Sequence, residues 1–80
     1  MSSIKAGLYR HYKGAEYQVY ALVRHSETEE NLVLYKALYG DYGLWVRPFD
    51  MFTEMVSVGG NCLPRFKFIK ELPDNSNEFV

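Results

Sequence analysis

The stretch "EYQVYALVRH", residues 16–25, limits what this chain can fold into more than any other. Tyr17, Val19, Ala21 and Val23 occupy every second position, with Gln18, Tyr20, Leu22 and Arg24 between them. Successive side chains of a strand point to opposite faces, and β-branched and aromatic residues suit its pleated surface. The pattern predicts a strand carrying Tyr17, Val19, Ala21 and Val23 on one face and Tyr20 and Leu22 on the other.

The flanking segments extend this reading. "LYRHYK", residues 8–13, lies between Gly7 and Gly14 and suits an extended strand. "SETEEN" is polar and acidic, with hydroxyls able to bond the local backbone, and predicts a hairpin tip. "LVLYKALY", residues 32–39, is apolar on both faces, with Val33, Tyr35, Ala37 and Tyr39 opposite Leu32, Leu34, Lys36 and Leu38. "GDYG" predicts a turn, and "LWVR" a short strand ended by Pro48, which lacks an amide hydrogen. "PFDMFTE" predicts a single helical or 3₁₀ turn, with Phe49 and Phe52 three apart, which aligns them on one side of a 3₁₀ turn. "MVSV", the turn "GGN" and "CLPRFKFI" predict a last hairpin.

These elements predict an all-β protein. The favoured form is a small SH3-like barrel of five or six short antiparallel strands with a 3₁₀ turn before the last core strand. Closure removes exposed strand edges. An open antiparallel meander with a helical tail is the alternative. At 80 residues the chain makes one domain, assigned to residues 1–70, with 71–80 a polar, flexible tail.

Seven Tyr, five Phe and one Trp exceed what so small a core can bury, so part of this aromatic surface must face solvent. The net charge of −1 opposes tight, non-specific nucleic-acid binding, which draws on excess Lys and Arg. The charges are nevertheless segregated. Lys5, Arg10, Lys13 and Arg24 face only Glu16 in residues 1–25, and Arg65, Lys67 and Lys70 face no acid in residues 55–70. Cys62 is the only cysteine, which excludes an intramolecular disulfide and suits a reducing cytoplasm. The chain shows no apolar core of signal-peptide length and no run long enough to span a membrane.

Taken together, "GLYRHYKG", "RHSETEE", "LVLYKALYG", "LWVRP" followed by "MF", and "PRF" resemble a family of small bacterial proteins catalogued as a domain of unknown function. The resemblance covers roughly residues 7–69. It implies a short, stand-alone cytoplasmic protein, and it brings no reaction and no site residues with it.

Candidate chemistry concentrates in "LYGDYGLWVRP", residues 38–48. Trp45 and Arg47 are two apart and share a strand face. Leu44 and Val46, being wholly apolar, are the expected core pair, which turns Trp45 and Arg47 outward. The leading expectation is a non-enzymatic module binding a protein or peptide segment in an aromatic groove. Tyr12, Tyr35, Trp45 and Arg47 would form the groove, with Tyr42 and His25 at its rim. The alternative is weak RNA or DNA binding through Arg10, Lys13, Arg65 and Lys67, with cations interleaved among aromatics. His25, Ser26 and Glu27 do not make a hydrolytic triad, since adjacent strand residues face opposite sides. His11, His25, Glu27 and Cys62 lack the spacing of a metal site. No metal or cofactor is expected, and the domain is expected to be a monomer or weak homodimer.

Overall fold

A computed structural model of the chain describes residues 3–72. Seven strands and one helical turn follow in order among these residues: β1 Gly7–His11, β2 Glu16–Arg24, β3 Asn31–Ala37, β4 Leu44–Pro48, α1 Phe49–Phe52, β5 Met55–Val58, β6 Asn61–Pro64 and β7 Phe66–Lys70. All pairing is antiparallel. Five strands form one sheet in the order β4-β3-β2-β1-β7, and β5 and β6 form a separate hairpin.

The protein is therefore mainly β, as its periodicity requires, but the main sheet is open. β4 and β7 end it without pairing to one another among the described residues, and no closed barrel forms. The strand count exceeds the expected five or six because "CLPRFKFI" divides. At Arg65 the chain passes from one ladder to the other: its N–H bonds to the Glu54 carbonyl at 2.9 Å, in register with β5 and β6, and its carbonyl accepts from the Tyr12 N–H at 2.9 Å, in register with β1 and β7. The segment after Pro48, expected as a single helical or 3₁₀ turn, is an α-helical turn. The Thr53 N–H reaches the Phe49 carbonyl at 3.0 Å, the i to i+4 bond of an α-helix, and the Thr53 hydroxyl donates to the same oxygen. The expected polar tail falls largely outside the described residues.

Register shows where the simple alternation of β2 breaks. Val19 lies opposite Tyr35, but Ala21 lies opposite Leu34, so Tyr20 is the extra residue of a bulge. Past the bulge the faces exchange. Leu22, opposite Val33, packs on the core, while Ala21 and Val23 turn to the other face with Leu34 and Leu32. The single face expected for Tyr17, Val19, Ala21 and Val23 thus holds only as far as Val19.

β4 is likewise reversed from expectation. Trp45 lies opposite Tyr35 and Arg47 opposite Val33, which puts both on the core-bearing face of the sheet. Leu44 and Val46, expected inside, are 46% and 52% exposed on the opposite face. The cause is register: Val33 and Tyr35 are buried, and whatever stands directly opposite them shares their side.

The core is an aromatic stack capped by α1. Phe52 is 1% exposed and stacks face to face on Phe66, with centroids 4.1 Å apart. Tyr9 and Tyr35 each meet Phe52 at 5.6 Å. Val19 and Val33 fill the floor beneath them. The Tyr9 hydroxyl donates to the Lys5 carbonyl at 2.6 Å, and burial pushes its pKa up. The β5–β6 hairpin turns through Gly59 and Gly60, both at positive φ as a tight two-residue turn requires. Cys62 on this hairpin is exposed.

Candidate functional site

The core face continues past Tyr35 into an open groove. Tyr17, Tyr35, Ala37, Tyr39, Gly40, Asp41, Trp45 and Arg47 enclose about 310 Å³. β2 and β3 supply the inner wall, β4 the outer one, and the β3–β4 turn closes one end. β4 is an edge strand among the described residues, and Trp45 is 58% exposed despite lying on the core-bearing face.

Three tyrosines build the inner wall. The Tyr17 ring meets Tyr35 edge-on at 5.4 Å and Tyr39 at 5.6 Å. The Tyr17 and Tyr39 hydroxyls lie 2.9 Å apart in a hydrogen bond. Burial, then that bond, pushes the Tyr17 pKa up to about 12. Gly43 fixes the indole: a Cβ there would stand 3.2 Å from the Trp45 Nε1. The Gly43 N–H donates to Asp41 Oδ1 at 3.1 Å, which holds the rim carboxylate against the turn.

Arg47 supplies the charge. Its guanidinium lies over the Phe66 ring, 5.5 Å from the centroid. It forms no ion pair among the described residues, and its buried Nε–H finds no acceptor there. A buried donor without a partner costs on the order of 1–3 kcal/mol. Arg65, nearby, has a buried Nε–H without an acceptor as well, but its charge is paired with Glu54 at 3.0 Å. His11 packs edge-on against Phe66 at 4.9 Å. Burial, and then the fields of Arg65, Arg47 and Lys13, lower the His11 pKa, so the imidazole adds no charge near neutral pH.

Of the six residues expected to share a site, Tyr35, Trp45 and Arg47 come together here. Tyr12 does not: it follows β1, its ring lies 4.6 Å from His11, and it faces a separate depression with Arg10 and Lys67. Tyr42 adopts a φ of 56° in the turn and leans toward Lys36, 6.0 Å from its ring. His25 sits at the far end of β3, where its Nδ1 accepts the Glu27 and Thr28 amides and shapes the acidic hairpin. Sequence reasoning missed Tyr17, Tyr39 and Asp41. Tyr39 and Asp41 stood in the aromatic stretch already singled out; Tyr17 could be joined to them only through its pairing with Ala37.

Of the four cations of the nucleic-acid alternative, Arg10 and Lys67 line one depression with Tyr12, and two of the four are paired with carboxylates. Arg10 pairs with Glu16 at 2.8 Å and Arg65 with Glu54 at 3.0 Å. Arg10 and Lys67 are cross-strand neighbours on the outer face, while the Lys13 ammonium lies over the Tyr12 ring.

Comparison with known proteins adds the family. Residues 7–68 match the family described as "Protein of unknown function (DUF1653)". The chain belongs to this family. It is also similar to a solved DUF1653 protein from Bordetella bronchiseptica, with 34% identity and a TM-score of 0.79, over 90% of this chain and 95% of that one. No curated protein matches the chain. The DUF1653 match begins at β1 and ends within β7, so it takes in the groove and the main sheet except Ile69 and Lys70. Among the described residues, no helix is long and apolar enough to cross a membrane.

Proposed function

We propose that this DUF1653 domain is a non-enzymatic binding module that holds a protein or peptide segment in the groove of Tyr17, Tyr35, Tyr39, Trp45 and Arg47. The observation that carries this reading is the state of Trp45: a large indole, 58% exposed, held by its backbone on the core-bearing face beside an unpaired guanidinium. Rigid aromatics beside arginine dominate the energetics of protein recognition. The SH3-like reading belongs here as well, since a short helical turn beside an aromatic face is where such domains take peptides. It supports the proposal by analogy of layout. The nucleic-acid alternative is weaker, because Arg10 and Arg65 are already paired with carboxylates. We take the domain to act in the cytoplasm as a monomer or weak homodimer, consistent with a single cysteine.

The test is Trp45→Ala. An exposed side chain contributes little to folding, so the variant should melt within about 1 kcal/mol of the parent. Peptides selected from a displayed library on the parent should no longer bind it. Retention of those peptides at equal affinity would remove the groove from consideration.

A further inference from the structure

The groove borders a free strand edge. Among the described residues, β4 is the last strand of the main sheet and pairs only with β3. The Ala37 N–H donates to the Gly43 carbonyl at 3.0 Å, which makes Lys36 and Leu44 a non-hydrogen-bonded pair. Alternation then directs the amides of Trp45 and Arg47 toward β3 and those of Leu44 and Val46 away from the sheet. Leu44 and Val46 therefore offer N–H and C=O groups to an incoming strand. Pro48, next in the outward series, has only a carbonyl and sets the limit of that edge.

A strand added along this edge places alternate side chains beside Trp45 and Arg47 on the groove face, within cross-strand reach. The groove carries two charges: the Asp41 carboxylate, held at the turn end by the Gly43 amide, and the Arg47 guanidinium, which has no carboxylate partner among the described residues. Arg65 is engaged by Glu54, and Lys36 lies on the opposite face opposite Leu44. One fork-shaped cation matches one carboxylate; a phosphate, carrying nearly two charges, calls for a cluster of cations. The edge runs on both sides of Trp45, so the segment passes through and presents its carboxylate as a side chain, not as a chain end.

Resting on the peptide-binding reading, we propose that β4 accepts an extended acidic segment as an added strand. A Glu or Asp side chain of that segment sits on Arg47, and a large apolar side chain two residues away sits on Trp45.

Trp45 is the only tryptophan, so its fluorescence reports on the groove alone. Three pools of capped hexapeptides, randomised among Val, Thr, Tyr and Leu elsewhere, are titrated: one with a central Glu and an amidated end, one with Gln in its place, and the Gln pool with a free terminal carboxylate. A charge-assisted pair predicts that the Glu pool binds at least about tenfold tighter than the Gln pool. The free-terminus pool should match amidated Gln. N-methylation at alternate peptide positions should weaken binding, since it blocks the bonds to Leu44 and Val46. Arg47→Gln should erase the Glu preference, and Arg47→Lys should keep part of it.

Equal binding of the Glu and Gln pools overturns the proposal, and so does a free-terminus pool that matches Glu. The Glu and Gln comparison uses the unaltered protein, so it decides the matter even if Arg47→Gln fails to fold. If both pools bind equally and calorimetry shows that Trp45→Ala loses both, the peptide-binding reading stands and the acidic-strand proposal falls. If neither pool binds, both fall.

Discussion

Phe52→Ala should remove most of the stability of this domain. The side chain is 1% exposed, stacks on Phe66 at 4.1 Å and meets Tyr9 and Tyr35. It is the main contact by which α1 closes over the sheet. Truncating a buried Phe costs about 3–5 kcal/mol, through lost transfer energy and the cavity left behind. A domain of this length holds about 4–12 kcal/mol in all. Urea unfolding followed by circular dichroism should therefore show a midpoint near or below zero denaturant at the lower end of that range. A loss under about 1 kcal/mol would mean that α1 is not needed to close the core. Phe49→Ala, on the same turn but only partly buried, should cost less.

Gly7→Ala should be the second most damaging change. Gly7 has a φ of 147°, a conformation that L side chains rarely adopt, and it lies where β1 meets the end of β7. An added Cβ would stand 2.6 Å from the Lys70 carbonyl oxygen and 3.0 Å from the Phe68 ring. Backbone cannot yield as a side-chain tip can, so β7 must shift away from β1. Strain in a disfavoured backbone region alone costs on the order of 1–3 kcal/mol. Gly14→Ala supplies the comparison, since Gly14 is also at positive φ but has nothing within 4 Å of the added Cβ. Gly7→Ala should lose clearly more stability than Gly14→Ala, with amide exchange accelerated in Phe68 and Lys70. Equal losses would mean that backbone strain alone, and not the clash, sets the cost.

Local pattern made the elements of this fold readable, and register is what it could not supply. The turns at Gly14, at Gly40 and at Gly59-Gly60 stand where glycine and polar residues forecast them. The buried series Val33, Tyr35 and Ala37 follows period two. The bulge at Tyr20 left no trace in that pattern, because the strand is apolar on both sides of it and either phase looks acceptable. The β3–β4 turn hid the facing of β4 for the same reason. Leu44 and Val46 are more apolar than Trp45 and Arg47, yet residue type did not decide the matter; the pairing of Trp45 with Tyr35 did. The site was half legible. Its three shared residues lie on β3 and β4, close in sequence, whereas Tyr17 enters from β2, and His25 was drawn in by its chemistry rather than its place in the sheet.

The sheet order has a kinetic consequence. β1 is flanked by β2, the next strand in the chain, and by β7, the last in the sheet. β2, β3 and β4 can zip as successive hairpins, each closing a short loop. Pairing Leu8 with Lys70 instead closes most of the chain, and that entropy must be lost before Phe66 and Phe68 return any contact energy. The hairpins are therefore expected to form the folding nucleus and β7 to dock after the rate-limiting step. A conservative change such as Phe68→Leu should then act mostly on the unfolding limb of a chevron plot, with the refolding rate little altered. A refolding rate that falls in proportion to the lost stability would put β7 in the nucleus. On the expected order, the contacts of the last strand govern how long the native state survives far more than how quickly it is reached.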